Sequence, residues 1–485
     1  MIEDELRQRI QSCLQHTPTA DQRQAMGVFC RFMSDSHPQS SPVFVLRGSA
    51  GTGKTSLAAA IVRALLELKQ KLVLLAPTGR AAKVLSLAAG HPAYTIHRRI
   101  YRQRTAADLS SFNLNDNLHT DTLFIVDEAS MIGSGGYGSY ESNEAHPSFG
   151  SGSLLDDLVR YVYSGTRCRL MLIGDASQLP PVGEPLSPAL SAEVLSSYDL
   201  TVYETDLSEV LRQASASGIL YNATRLRFDV GSGSVAALPK VLTAPFPDIT
   251  LVPGDELIEQ LASSYSHAGL DDTIVITRSN KRANIYNQGI RRTILDREDE
   301  LCRGDLLMIV KNNYHWTQLD KDTAAVIPFL ANGDRCVVQR VRNKRDMHGF
   351  HFADVTLLFP DYDDRELTAT VILDTLTTDA PALTREQQQQ LYDRVMADYA
   401  DIALKADRMK QVRQDPFYNA LQVKFGYAVT CHKAQGGQWQ HVYIDQGYIA
   451  DDTTPDDYLR WLYTAFTRAT DHLFLVNWPQ TQIEN

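Results

Sequence analysis

Short apolar runs that end on glycine or on acidic residues alternate along this chain with stretches of helical periodicity. VFVLRG (43–48) is an apolar run that closes on glycine and opens onto a Gly-rich turn. TSLAAAIVRALLELK (55–69) places apolar residues at helical spacing among strong helix formers. KLVLLAPTG (71–79) reads as strand and turn, and AAKVLSLAAG (81–90) as a helix stopped by Gly90. TLFIVDEAS (122–130) and RLMLIGDASQLPPVG (169–183) are two more apolar strands that end in polar loops. Strands alternating with helices predict a parallel, doubly wound sheet, with active-site loops gathered at the carboxyl ends of its strands. Residues 1–40 read as helical.

The pattern then repeats with an interruption. A second α/β unit runs from about 200 to 300 and contains TIVITRSN (273–280). Residues 303–375 change character: LLMIVKNNY, DRCVVQRVRN, ADVTLLF and LTATVILDTL are short, β-rich and separated by turns, which predicts a small barrel-like all-β module. Residues 384–412 are charged and helical. From 422 the strand–loop–helix pattern resumes with VKFGYAVTCHKAQGG, QHVYID, DDYLRWLYTAFTRAT and HLFLVNW, so the β-module reads as inserted into the second α/β unit. Between 132 and 153, GSGGYGSYESNEAHPSFGSGS is Gly/Ser-rich and reads as a flexible surface insertion.

Composition narrows the class. The 485 residues are 44% hydrophobic and 22% charged, as in ordinary globular proteins. At ~100–200 residues per domain the length suggests roughly three or four domains. No apolar run reaches the ~18 residues of a membrane span, and MIEDELRQRIQSCLQ lacks the apolar centre of a signal peptide, so no membrane association and a cytoplasmic location are expected. The six cysteines (Cys13, Cys30, Cys168, Cys302, Cys336, Cys431) are scattered without a Cys-x-x-Cys pair and read as reduced thiols. The net charge of −11 excludes a protein that coats nucleic acid by bulk charge; any such binding needs a groove with locally placed donors.

GSAGTGKT (48–55) fits G-x-x-x-x-G-K-[ST], after a predicted strand and at the start of a predicted helix, the context that gives the motif its meaning. Gly48, Gly51 and Gly53 let the backbone turn its N–H groups toward phosphate oxygens, and the helix N-terminus adds a favourable dipole. Lys54 supplies a point charge to the β- and γ-phosphates of ATP, and the Thr55 hydroxyl can ligate Mg²⁺. Asp127 and Glu128 close a buried strand downstream, Asp127 as a Mg²⁺ ligand and Glu128 as the group that orients and deprotonates the attacking water. In GDASQLPPVG (174–183), Asp175 and Gln178 lie in a strand-end loop; Gln178 can bond the γ-phosphate, or the loop is simply a capped turn stiffened by Pro180 and Pro181.

Taken together, the motifs resemble superfamily 1 DNA helicases of the RecD/Dda-like branch, in order and over nearly the whole chain. TPTADQRQA (17–25) resembles the Q motif, GSAGTGKT motif I, APTGRAA (76–82) motif Ia, TIH (95–97) motif Ib, and VDEASM (126–131) motif II. GDASQLPPVG resembles motif III, LSEVLRQ (207–213) motif IV, YAVTCHKAQGGQW (427–439) motif V, and YTAFTRAT (463–470) motif VI. The resemblance implies two RecA-like domains with ATP between them: domain 1 over 1–197, domain 2 over 198–300 plus 415–485, and an SH3-like β-module with its helical connector over 301–414. It implies that Gln22 reads adenine, that Gln435 and Gly436 belong to the nucleotide site, and that Arg212 and Arg468 reach the γ-phosphate across the cleft. It also assigns Thr78, Arg80, His97, Thr430 and His432 to the single-strand backbone. Residues 98–121 stand where relatives place a duplex-splitting β-hairpin; a plain surface loop is the alternative, with Phe112 and Tyr101 its large apolar side chains.

The implied activity is ATP- and Mg²⁺-dependent unwinding with 5′→3′ translocation on single-stranded DNA, acting at single/double-strand junctions, in repair, recombination or replication. The chain is expected to be a monomeric, stand-alone helicase core, with repair or replication proteins as its protein partners. One position departs from the pattern: relatives often carry glutamate after H-K-x-Q-G-x, and this chain has Gln438, which keeps hydrogen bonding but brings no charge. Sugar discrimination is therefore open, so an RNA helicase is the first alternative. A partner-dependent ATPase without unwinding of its own is the second.

Overall fold

A computed structural model describes residues 2–35, 37, 40–105, 108–135, 148–149, 151–210, 217–231, 238–327, 329–449 and 454–484. Two parallel sheets and one closed barrel organise the chain. The first sheet has the spatial order Ala93–Thr95, Lys71–Ala76, Thr122–Val126, Arg169–Gly174, Pro42–Gly48 and Thr201–Leu207, every neighbour parallel. Its central strands are buried on both faces, which is why they read as continuous apolar runs. Phe44 and Leu46 enter one core with the helices Ala20–Ser34 and Lys54–Glu67, and Val43 and Val45 enter the other with Leu154–Ser164. The sheet takes in Thr201–Leu207, past the expected limit of 197, because that strand pairs with Pro42–Gly48 along its full length.

The second sheet runs Ile249–Val252, Ala469–Val476, Trp439–Asp445, Thr273–Thr277 and Ala428–Thr430, again all parallel. Between its strands sits the five-stranded closed barrel of Leu306–Ile309, Arg335–Met347, Phe350–Phe359, Arg365–Ile372 and Leu421–Phe425. Closure needs the last of these, which pairs antiparallel with the first and parallel with the fourth. The barrel thus extends to 425, beyond the expected 414, and leaves no open edge. Where barrel and second sheet meet, the fully buried Asp305 accepts hydrogen bonds from Arg291, Arg297, Tyr427 and the Cys302 amide, so its charge is compensated on every side.

Two helices, Arg385–Asp398 and Lys405–Gln414, form the charged connector. Within 98–121 the chain forms an antiparallel hairpin of Tyr101–Thr105 and Asp108–Leu114. Most of the 132–153 insertion lies outside the described residues; Ser148–Phe149 pairs beside the hairpin. Among the described residues no helix is long and apolar enough to cross a membrane.

Candidate functional site

The strands of the first sheet deliver their loops to one edge. Pro42–Gly48 ends in a turn whose Gly51 and Gly53 have φ of 76° and 79°, in the left-handed region that only glycine adopts at low cost. A Cβ on Gly48 would stand 2.8 Å from Thr52 Oγ1 and 2.9 Å from Lys54 Cγ, so the turn closes only around a hydrogen. Thr52 Oγ1 donates to the Ser49 carbonyl at 2.8 Å and holds the turn shut. Lys54 opens the next helix; its ammonium donates to the Gly48 and Ser49 carbonyls at 2.5 and 3.0 Å and stands 3.9 Å from the Asp175 carboxylate. Thr55 is exposed on the first helical turn.

Asp127 and Glu128 follow Thr122–Val126 directly. Asp127 accepts the Glu128 N–H at 2.9 Å, and Glu128 sits at φ 53°, an unfavourable left-handed conformation for a side chain of its size. Burial pushes the Asp127 carboxyl well above its ordinary range; the charge of Glu128 adds to the rise, and the Glu128 N–H and Lys54 oppose it. A carboxylate so placed gains most from a neighbouring cation, and Thr55 and Asp127 supply the oxygen donors suited to Mg²⁺. Among the described residues no group of three or more His, Cys, Asp or Glu side chains is placed to hold a metal ion.

Gln22 is fully buried near the start of Ala20–Ser34. Its carbonyl accepts the Thr19 N–H in a capping box, and its amide donates to the Thr52 carbonyl at 3.2 Å, so it braces the Gly-rich turn from behind.

The second half of the chain closes over this edge. From the helix Pro455–Phe466, Tyr463 donates to Asp175 at 2.5 Å and accepts the Ala50 N–H at 3.0 Å. Thr464 accepts the Leu179 N–H at 2.8 Å, and Arg460 donates to the Ala176 carbonyl at 2.5 Å while paired with Asp456. Gln435 donates to the Leu179 carbonyl at 2.6 Å. From the helix Gly218–Asp229, Arg227 donates to the Ser49 hydroxyl. Gln178 lies inside this seam, 4% exposed, with its side-chain oxygen unpartnered.

Arg468 is 3% exposed and turns the other way: its nitrogens donate to the carbonyls of Thr464 and Gly437 and to the Thr467 hydroxyl, all within the second half. Arg212 lies outside the described residues. Gly436, at φ 72°, passes Thr78: a Cβ there would be 3.1 Å from the Thr78 hydroxyl, so Gln435 and Gly436 face the 78 and 179 loops.

The residues assigned to a nucleic-acid strand fall in two places. Thr78 caps the helix Gly79–Ala89. Arg80, on the same helix, lies over the Trp439 ring at 4.4 Å and donates to the Gln438 carbonyl. Burial, together with the nearby charge of Arg335, lowers Arg80 to about 10, which leaves it charged at neutral pH. Thr430 and His432 stand at the end of Ala428–Thr430 and on the short helix after it, His432 exposed. His97 is apart from these, its ring 5.5 Å from Tyr101 and 6.0 Å from Phe329 of the barrel side, and burial lowers it to about 4.

Tyr463 and Thr464 lie in the string YTAFTRAT, which does not by itself mark them as cross-cleft groups, and Arg227 and Arg460 reach across the cleft from outside every motif. Arg460 carried a signal, a charged residue inside the apolar run YLRWLY. Arg227 carried none.

Two family models and several known proteins are similar to parts or all of the chain. The family model described as an AAA domain matches residues 20–137, and that of the UvrD-like helicase C-terminal domain matches 425–476. The chain is 30% identical over 448 residues to the ATP-dependent RecD2 DNA helicase of Deinococcus radiodurans, covering 89% of this chain and 46% of that protein, so it spans about half of that relative's length. It is 22% identical over 499 residues to protein R530 of Acanthamoeba polyphaga mimivirus, covering 89% and 94%. Among solved structures, Pif1 helicase from Bacteroides in complex with ADP-AlF3 and ssDNA aligns over 97% of this chain and 95% of its own, at 15% identity and a TM-score of 0.46. Pif1 helicase from Candida albicans aligns over 97% and 96%, at 15% identity and a TM-score of 0.44. An AAA segment thus falls around the Gly-rich turn, a UvrD-like helicase C-terminal segment around the cross-cleft helix, and the likeness to RecD2 runs across 89% of the chain.

Proposed function

We propose that this chain is an ATP- and Mg²⁺-dependent DNA helicase that moves 5′→3′ along single-stranded DNA. The observation that carries the reading is the hydrogen-bonded seam in which Tyr463, Thr464, Arg460 and Gln435 meet the loops of the phosphate-binding edge. A seam of that kind couples occupancy of the Gly-rich turn to the relative position of two α/β units, which is what a motor requires. Lys54 neutralises the β- and γ-phosphates, Thr55 and Asp127 hold Mg²⁺, Glu128 orients water, and Gln178 donates its side-chain N–H₂ to the γ-phosphate, which leaves its unpartnered oxygen free to accept from the attacking water. Arg212 and Arg468 supply positive charge from the second unit, Arg468 after leaving its carbonyl partners. Thr78, Arg80, Thr430, His432 and His97 grip the strand; few contacts at a time fit a net charge of −11.

The test is ATP hydrolysis by wild type and Lys54→Ala with single-stranded DNA, with RNA and with neither, followed by strand displacement on substrates with 5′ or 3′ overhangs. Strong stimulation by DNA and displacement from 5′ overhangs are expected. Stimulation by RNA alone makes the chain an RNA helicase. No stimulation by either makes it a partner-dependent ATPase, and a 3′ preference overturns the polarity.

A further inference from the structure

The Ala50 amide lies within the turn whose N–H groups form a phosphate cradle, yet its partner is a phenol from the opposite unit. Tyr463 is 1% exposed, at 2.5 Å from Asp175 and 3.0 Å from the Ala50 nitrogen. Its hydroxyl has one proton, and the geometry fixes where it goes: the oxygen accepts from Ala50, and the proton is donated to the carboxylate. Burial beside Asp175 holds the phenol well above its ordinary pKa, so it stays a neutral donor. Asp175 in turn faces the Lys54 ammonium at 3.9 Å. One side chain thus links the turn, its lysine's counter-charge and the helix Pro455–Phe466. The next residue, Thr464, holds the Leu179 amide, so the helix cannot shift at Tyr463 without also moving the 179 loop.

We propose that Tyr463 is a positioning residue for nucleotide binding: its oxygen occupies, on the Ala50 N–H, the place of a phosphate oxygen, and nucleotide entry displaces it. The displaced hydroxyl keeps its bond to Asp175 or loses it with the helix; either way, phosphate occupancy is read directly by the unit opposite the turn. This rests on the ATP reading above. It adds that the second unit carries a competitor for the cradle as well as charges that complement it.

The competitor predicts a direction that a structural role does not. Tyr463→Phe removes one oxygen and keeps the ring. Binding of a non-hydrolysable ATP analogue to the full chain, measured by calorimetry, is expected to tighten by ~2–10-fold, the value of one hydrogen bond that no longer has to be exchanged. An unchanged or weaker affinity in Tyr463→Phe, with wild type binding normally, overturns the proposal and leaves the ATP reading intact. If wild type itself binds no analogue and equals Lys54→Ala, the ATP reading fails and takes this one with it. Should the variant fold poorly, the wild type decides alone: without nucleotide, amide exchange at Ala50 must be slow, and free exchange there overturns the proposal.

Discussion

The two parallel sheets share a connectivity and differ at their carboxyl edges. The first ends its strands in Gly48, Asp127 and Asp175, with left-handed glycines at 51 and 53, and so presents backbone donors, a lysine and carboxylates. The second ends its strands at Thr277 and Thr430, each running straight into a helix, and sends the side chains of a buried helix across the gap. One edge is built from a Gly-rich backbone turn; the other reaches it with the side chains of Tyr463, Thr464 and Arg460. Backbone donors cost little reorganisation when charge arrives, whereas side chains can change partner, so the division suits a binder facing a sensor.

The sharpest way to break this comparison is Lys54→Ala. If the first edge alone carries the chemistry, hydrolysis falls by ~10²–10³-fold or more, the scale of losing one preorganised electrostatic contact in such a site. Steady-state phosphate release measures it, and retention of a tenth of the wild-type rate would refute the assignment.

Next in size is Thr464→Val, which removes the acceptor of the Leu179 N–H and leaves a buried donor unpaired. The cost is about 1–3 kcal/mol. If the seam couples the units, urea unfolding shows the two halves losing a shared transition and separating into two. If the seam is incidental, the midpoint drops and the single transition persists.

How much of this was legible follows from where partners lie along the chain. The turn at 48–55 and the Asp127–Glu128 pair are contiguous strings because phosphate and cation need adjacent atoms, so a local motif carries the whole argument. The seam joins Leu179 to Thr464 and Asp175 to Tyr463, 285 and 288 positions apart, and no local pattern reports such a pairing. The barrel was legible as a run of short strands, but its closing strand was not. Leu421–Phe425 completes the barrel, and Ala428–Thr430 already belongs to the second sheet, with only Gly426 and Tyr427 between them. An apolar stretch that serves two sheets shows no break in hydropathy. Arg468 teaches the converse: the resemblance points it at the phosphate, while its own unit offers three nearby acceptors that the string of residues does not reveal.

The residues proposed to grip a strand separate by charge. Arg80 remains a cation at neutral pH and lies against Trp439 with its guanidinium partly engaged. Arg80→Ala is expected to weaken single-stranded DNA binding across all sequences and to reduce the slope of log K against log salt by ~0.7, one phosphate contact on a single strand. Fluorescence anisotropy at several salt concentrations reads it. An unchanged slope would mean that the Trp439 contact is structural only.

His97 gives the smallest and most specific effect. Held at about 4 by burial, it is neutral at pH 7, so His97→Gln should leave the salt slope untouched even where it weakens binding. Its titration shows instead in stability. Between the ordinary histidine value near 6.5 and about 4, the unfolded chain binds a proton that the folded chain refuses. Stability therefore falls as pH is lowered through that window, by at most ~1.4 kcal/mol per pH unit for a single proton, and is unaffected well above it. Carboxylates titrate at the lower end of the same range, so the informative quantity is wild type minus His97→Gln, from urea midpoints at matched pH. A difference that is flat above pH 7 and grows in favour of the variant below pH 6.5 identifies His97 as a neutral ring wedged between hairpin and barrel. A difference that is flat throughout means that His97 meets water in solution, and its contact with Phe329 then contributes nothing to holding the two together.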